Sequence, residues 1–528
     1  MATVAFTAPH FKASEVALEI LKEGGNAVDA MVAAAATIAV VYPHMNSFGG
    51  DGFWVIQKPG EAPVAIDASG KAARQADIQW YRSRGHSAIP NRGPLASLTM
   101  AGTVSGWQKA RDYAESLDGV AQPLPLSRLL GPAAALAREG ITVTQSLQAA
   151  SVKTFEELSS NEEFAKLYLN QGETLKAGEQ LTNPALADLL DGLAERGLDD
   201  FYRGDIAKVL ASSLEKAGSP ITLEDFESYH AEMLEPLTTT TGKGQLFNMV
   251  APTQGVASLI ILALYDRIYQ DSWNETERVH HLVECIKQAF IIRDTYVTDR
   301  SRLKAEWSTL LDDAFLDDLA KKIDSEKALP WPHVAKPGDT IWMGALDKDG
   351  MMVSFIQSGY WEFGSGQVIP EYGLVWNNRG LSFSLDITHH NHLAGGMKPF
   401  HTLNPAFALL EDGRRFSYGT MGGEGQPQTQ AALFTRHIYD ELPLTEAIAK
   451  DRWLLGRTWG DVSNNLKLEQ GLYQSMGAAL SELGHDVAEV PGLNEMMGHA
   501  GGIILSPDGS VQAATDPRSD GAALTAEV

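Results

Sequence analysis

The chain has 528 residues, 44% of them hydrophobic and 21% charged, which describes a folded globular protein and excludes a disordered one. Its formal net charge of −25 excludes a nucleic-acid partner, because a phosphate backbone needs a basic face. The single cysteine, Cys285, excludes an internal disulfide framework and suits a reducing compartment.

The first residues, Met1 to Phe6, carry neither a basic region nor a long apolar run, so a secretory signal is not expected and a cytoplasmic location is. Ser14 to Glu23 reads as a helix capped by Ser14 and stopped by Gly24-Gly25. Asn26 opens a second helix through about Val41. Its run from Ala30 to Tyr42 is apolar nearly all round but too short for a bilayer, so burial in a core is expected and a membrane is not. Pro43 ends it. Ser47-Phe48-Gly49-Gly50-Asp51-Gly52-Phe53 then leads into a strand, Trp54 to Gln57. The glycines lack the spacing and the Lys-Ser/Thr ending of a phosphate cradle and read as a tight turn against a neighbouring strand.

Ala65 to Asp67 is a further strand, and the stretch from about Leu126 to Ala328 is mostly helical in pattern. Within it Thr222 is a predicted N-cap with Asp225 at the third helical position. Pro252-Thr253-Gln254-Gly255 returns to sheet or turn. Lys304 to Gly338, with Pro330, Pro332 and Pro337, reads as a linker with an exposed end. A hairpin follows. Thr340 opens its first strand, which runs to Leu346, Asp347-Lys348-Asp349-Gly350 turns, and Met351 to Ser358 returns. After Thr340 the chain is richer in strands, with predicted ones at Ala406 to Leu410, Phe416 to Thr420 and Ala500 to Leu505.

Several of these stretches together resemble the gamma-glutamyltranspeptidase family of N-terminal nucleophile hydrolases. They are Glu23-Gly24-Gly25-Asn26-Ala27-Val28-Asp29-Ala30 through Phe53, the hairpin at Thr340, Phe363-Gly364-Ser365-Gly366, Asn377-Asn378 and Asp516-Pro517-Arg518-Ser519-Asp520-Gly521. The resemblance covers roughly residues 5 to 523. It implies an α/β fold, a four-layer αββα sandwich. It also implies a precursor that cuts itself between Asp339 and Thr340. Residues 1–339 would then form a large subunit and 340–528 a small one, together one αββα domain. The family pattern continues Thr-Thr-His where this chain has Thr340-Ile341-Trp342, so the nucleophile is kept and its neighbours are not.

Amide hydrolysis needs a nucleophile, a base and an oxyanion hole. A Thr freed at a new N-terminus carries its own base, the α-amine, whose reference pKa lies near ~8. In the resemblance Ser358 supports the nucleophile, and Gly422 and Gly423 offer the oxyanion N–H groups. Two departures from the family pattern remove charges that bind the glutamyl group. An Arg that grips the glutamyl carboxylate in relatives falls at Ser69, and an Asp that grips the amine falls at Ser382. The family's Ser-Ser-Met-Ser-Pro run is replaced by His401-Thr402-Leu403-Asn404-Pro405, and an Asn by Tyr360. Arg379 and Arg92 are candidates for holding an anionic substrate, Arg379 being favoured for its place in the Asn-Asn motif.

The family-level function implied is gamma-glutamyl transfer or hydrolysis. Small-amide hydrolysis of the oxamate or cephalosporin-acylase type is the alternative, and an uncut, non-catalytic member is a second. Thr388-His389-His390-Asn391-His392 reads as a surface loop rather than a metal site, and His280, His281 and Cys285 as packing on a helix. No cofactor and no metal are expected. The expected partners are a small-molecule amide and the two subunits of one precursor. Homo-oligomerisation is left open.

Overall fold

The computed structural model describes residues 2–331, 339–456 and 463–528, the side chain of Asp339 excepted. Thirteen strands make up its two large sheets. They are β1 (Thr3–Ala8), β2 (Asp51–Gln57), β3 (Val64–Ala68), β4 (Glu232–Leu234), β5 (Leu237–Thr241), β6 (Gly244–Asn248), β7 (Asp339–Leu346), β8 (Met352–Tyr360), β9 (Ala406–Leu410), β10 (Arg415–Thr420), β11 (Ala500–Leu505), β12 (Val511–Thr515) and β13 (Ala522–Glu527). The first sheet runs β13-β1-β7-β8-β2-β3-β4 and the second β12-β11-β10-β9-β6-β5. All pairings within both sheets are antiparallel.

The layering follows from side-chain alternation along these strands. In β7, Ile341, Met343 and Ala345 join one core together with the helices α1 (Phe11–Lys22) and α2 (Ala27–Val41). Trp342 and Leu346 point the other way, into a second core shared with Phe247, Phe407 and Ile503 of the opposite sheet. The second sheet's other face, carrying Ala406, Ala408, Phe416 and Tyr418, packs on α3 (Gly255–Ile268), α4 (Glu275–Tyr296) and α5 (Gln426–Phe434). Helix, sheet, sheet, helix is the resulting order, a four-layer αββα sandwich.

The α2 helix is buried along its whole length. Asn26 caps it, its side chain accepting from the Asp29 N–H at 2.9 Å. The turn between β7 and β8 is tied to the same point, because Asp347 Oδ2 accepts the Ala27 N–H at 2.9 Å. The glycine cluster before β2 serves close approach. A Cβ on Gly50 would stand 2.1 Å from the Ser358 carbonyl oxygen.

Some expected boundaries move. The first helix begins at Phe11, capped by His10, while the Ser14 hydroxyl donates to the Ala522 carbonyl and ties the helix to β13. β2 starts at Asp51, inside the glycine cluster. Three strands, β4 to β6, interrupt the mostly helical stretch. The segment expected to be a linker from Lys304 holds two short helices, Trp307–Leu310 and Asp313–Ala320, where Leu310, Leu316 and Leu319 find apolar cover. Its expected exposed end, with Pro332 and Pro337, lies outside the described residues. Thr222 and Asp225 form the expected capping box, and Pro252 to Gly255 leads into α3.

Candidate active site

Thr340 sits second in β7, beneath full cover. Alternation puts it on the same face as Trp342, toward the opposite sheet. Trp342 fixes that face. Its ring lies where a Cβ on Gly419 or Gly501 would be, and its Nε1 donates to Ser354 Oγ at 2.9 Å. The next two strands present Ser358 and Asp51 on the same face, in register as direct partners. Thr340, Ser358 and Asp51 thus line one end of the space between the sheets. Ser358 Oγ accepts the Tyr360 N–H at 2.8 Å.

The opposite sheet brings two loops to this end. After β10 the chain turns at Gly422, with φ 120°, and Gly423, with φ 55°, conformations that favour glycine. The bonds that tie this turn run through its carbonyls. Gly422 accepts from the Gly425 N–H at 2.9 Å, and Gly423 from Gln254 Nε2 at 2.9 Å. Gln254 Nε2 also donates to the Thr402 carbonyl at 2.8 Å, so one amide joins the glycine turn to the loop before β9. Arg293 orients that amide by donating to Gln254 Oε1 at 3.0 Å while pairing with Glu424 at 3.0 Å.

Arg379 enters from a short helical turn, Arg379–Ser382, after Asn377 and Asn378. It is wholly buried. Its Nη1 donates to Thr402 Oγ1 at 3.2 Å, and its guanidinium carbon lies 3.8 Å from the centre of the Tyr360 ring. Among the described residues its Nε and Nη2 have no hydrogen-bond partner. Its one ion-pair neighbour among the described residues is Asp51, whose Oδ2 is 3.7 Å from Nε. Burial lowers the guanidinium to about 10, which leaves it charged at neutral pH. Tyr360 is the register partner of Asp339, so Arg379 stands one side chain away from the head of β7.

Asp51 is equally buried. Its Oδ1 accepts the Gly70 N–H at 2.8 Å, and its Oδ2 bonds His401 Nε2 at 2.9 Å. His401 Nδ1 accepts the Leu403 N–H, so the ring proton belongs on Nε2 and is donated to Asp51. Burial, reinforced by Arg379, pushes His401 well below its usual value, and the ring is neutral. Burial pushes Asp51 up to about 7 against the pull of Arg379. Burial also opposes charge on Asp67, but Lys398 at 2.8 Å and Ser69 hold it below the usual carboxylate range.

The predicted site residues therefore divide. Thr340, Ser358, Tyr360, Arg379, His401 and Thr402 converge. Gly422 and Gly423 join them through Gln254. Ser382 is buried beside Tyr360, whose phenol is raised by burial and lowered by Arg379 and Ser382. Ser69 is adjacent but committed, its hydroxyl donating to Asp67 Oδ1 at 2.6 Å. Arg92 is not available to a substrate here. It pairs with Glu157 at 2.7 Å and donates to the carbonyls of Glu362 and Gly364. Sequence reasoning missed Asp51, Gln254, Arg293 and Lys398. The signal for Asp51 was an acid at the head of a strand whose next five residues, Gly52 to Ile56, carry no polar side-chain oxygen.

Two other constellations resolve as structure. His280, Glu284 and His485 hold ligand atoms within 4.8 Å of one another. Lys287 already supplies the cation, at 2.6 Å from Glu284 Oε1 and 3.5 Å from His485 Nδ1. In the His-rich loop His389 stacks on His390, and Asn391 donates to the Val297 carbonyl. Cys285 is buried, and burial pushes its thiol well up, away from the nucleophilic thiolate. Among the described residues no helix is long and apolar enough to cross a membrane.

Two facing antiparallel sheets between helix layers define the fold of the N-terminal nucleophile hydrolases. Within that class the chain belongs to the gamma-glutamyltranspeptidase family, whose model matches residues 13–526. It is 51% identical over 516 residues to the oxamate amidohydrolase proenzyme of Klebsiella pneumoniae, covering 98% of this chain and 97% of that one. It is 35% identical to a glutathione hydrolase-like proenzyme of Bacillus subtilis, over 98% of this chain and 97% of that one. Among solved structures, the cephalosporin acylase from Bacillus halodurans superposes with a TM-score of 0.90 at 28% identity, covering 99% of this chain and 96% of that one. The protein is an enzyme of a family of amide-bond hydrolases.

Proposed function

We propose that this chain is a self-processing hydrolase of a small, carboxylate-bearing amide, of the oxamate type. It cuts its own Asp339–Thr340 bond, and residues 1–339 and 340–528 remain together as one αββα domain. The freed Thr340 amine takes the proton of the Thr340 hydroxyl, whose oxygen attacks the amide carbon. The N–H groups of Gly422 and Gly423 receive the charge that develops on the carbonyl oxygen. The leaving amine takes the proton, and water then releases the acyl group from Thr340. Transfer to an amine acceptor would run through the same acyl-enzyme.

Arg379 is the observation that carries the choice of substrate. A buried guanidinium with two unused N–H directions, at the head of the Thr340 strand, matches a carboxylate. The serines at positions 69 and 382 offer no charge for the zwitterionic head of a glutamyl group. The similarity to an oxamate amidohydrolase supports the same reading. The buried, unpaired Cys285 is compatible with a cytoplasmic location.

The test has two parts. Intact mass of fresh protein should show the two fragments, and Thr340→Ala a single chain without amidase activity. The processed protein should then show a higher kcat/KM for oxamate than for glutathione. A persistent single wild-type species, or a clear preference for glutathione, overturns the reading.

A further inference from the structure

Arg379 already has an anion beside it, and the chemistry of that neighbour has to be reconciled with binding a second one. Asp51 Oδ2 lies 3.7 Å from Arg379 Nε, and both side chains are fully buried. A substrate carboxylate seated on Nε and Nη2 would stand against Asp51 with only one guanidinium between them. Two carboxylates sharing one buried cation cannot both stay ionised at low cost.

In the productive complex the Thr340 amine is the neutral base, and the described side chains facing Asp51 supply no second positive charge that is free of its own anion. His401 is neutral, with its proton already donated to Asp51. Lys398 is 2.8 Å from Asp67, whose charge it offsets. Arg300 lies between Asp67 and Glu232. Tyr202 and Tyr229 are buried phenols raised far above neutrality by burial. Among the described residues the backbone contributes the Gly70 N–H alone, to Oδ1.

We infer that Asp51 is a specificity-determining residue that binds the anionic substrate as a carboxylic acid, so that each substrate carboxylate enters with one proton from solvent. The proton sits on the Asp51 oxygen that faces Arg379 and is donated to the incoming carboxylate. Arg379 then has one full anion to neutralise, and Asp51 supplies a hydrogen bond where its charge would repel. Before binding, Asp51 is the counter-ion that keeps the buried guanidinium tolerable. This inference rests on the proposed carboxylate-bearing substrate. The position of Asp51, half-ionised at about pH 7, places the exchange in the physiological range.

The sign follows from linkage. Binding takes up a proton wherever free Asp51 is ionised and bound Asp51 is not. Affinity is therefore full below the pKa of free Asp51 and falls as pH rises through it. KM for oxamate should be flat from pH 6 to 7 and then climb toward about tenfold per pH unit until the acid in the complex itself ionises. KM for oxamide, the neutral diamide of the same length, should not climb. The Thr340 amine, whose reference pKa is about 8, titrates in the same site, and Asp51→Asn retains it, so the part of the climb that this variant loses belongs to Asp51.

The experiment is initial-rate kinetics of the processed enzyme with oxamate and with oxamide from pH 6 to 9, for wild type, Asp51→Asn and His401→Phe. Asp51→Asn should lose the climb in KM for oxamate. His401→Phe removes a donor to the carboxylate and should move the break to higher pH. A KM for oxamate that stays flat above pH 7 in wild type overturns the inference while leaving the proposed function standing. That arm needs no variant to fold. A climb from pH 7 as steep in Asp51→Asn as in wild type overturns the assignment to Asp51. Turnover of neither amide overturns the proposed function and the inference with it.

Discussion

Arg379 touches Tyr360 with its face, Thr402 with one N–H and nothing with two others, and the consequences of removing it are specific. Charge-assisted hydrogen bonds contribute about 1.5–3 kcal/mol each. Arg379→Ala should therefore raise KM for oxamate roughly 10- to 100-fold while leaving the extent of processing unchanged on a denaturing gel. Arg379→Lys should restore little, since a point charge cannot present two parallel donors. At Gly423 the expected loss falls on turnover instead. Gly423→Val places a β-branched side chain at φ 55° and would disturb the proposed oxyanion N–H, so kcat should drop about 100- to 1,000-fold. A processed Gly423→Val enzyme with wild-type kcat would exclude the glycine turn from the chemistry. Much of this site was legible in the sequence because Thr340, Arg379 and the glycine pair lie in stretches with a family pattern. Asp51 and Gln254 were not. Their roles come from partners 350 and 169 positions away, and no local periodicity reports a contact of that range.

At the scale of elements, the strand β7 does two jobs on its two faces. Ile341, Met343 and Ala345 hold it to α2, and Trp342 holds it to the opposite sheet. The hairpin, α2 and β11 were predictable because alternation and apolar runs are local signals. The three strands β4 to β6 were missed because they are short, one of them is a run of threonines, and their stability comes from pairing with β3 and β9. Trp342 is the element-scale test. Its ring fills the gap left by two glycines on facing strands, so Trp342→Ala should cost about 3–5 kcal/mol of stability in chemical denaturation. It should also slow processing, because the face that aims Thr340 loses its anchor. A variant of unchanged stability would mean that the two sheets are held together elsewhere.

The whole molecule is not divisible at the proposed cut. β1, from residues 1–339, lies between β13 and β7, and its partners on both sides come from residues 340–528. β2 pairs with β8 across the same divide, and β6 pairs with β9 in the second sheet. Cleavage therefore leaves both sheets continuous. The two fragments should elute together from a gel-filtration column as a species no smaller than 57.1 kDa and part only in denaturant. Residues 340–528 produced alone should not fold, since each sheet would lack interior or neighbouring strands. Separation of the fragments under native conditions would contradict this arrangement. The layered architecture was expected from the family pattern, whereas the interleaving of the two segments became visible only in the strand order.

Tyr360 joins these scales. It is the register partner of Asp339, adopts a φ of 86°, and lays its ring over Arg379. In the unbroken chain the guanidinium has no exposed surface. The proposed cut after Asp339 would release the residue that pairs with Tyr360, so the event that liberates the nucleophile would also uncover the anion seat. On that proposal the precursor would be a zymogen in two senses, lacking both its reactive amine and an open door for substrate. Thr340→Ala, which stays whole, should fail to bind oxalate in calorimetry at concentrations that inhibit the mature enzyme. Equal binding by both forms would show that the door is open from the start.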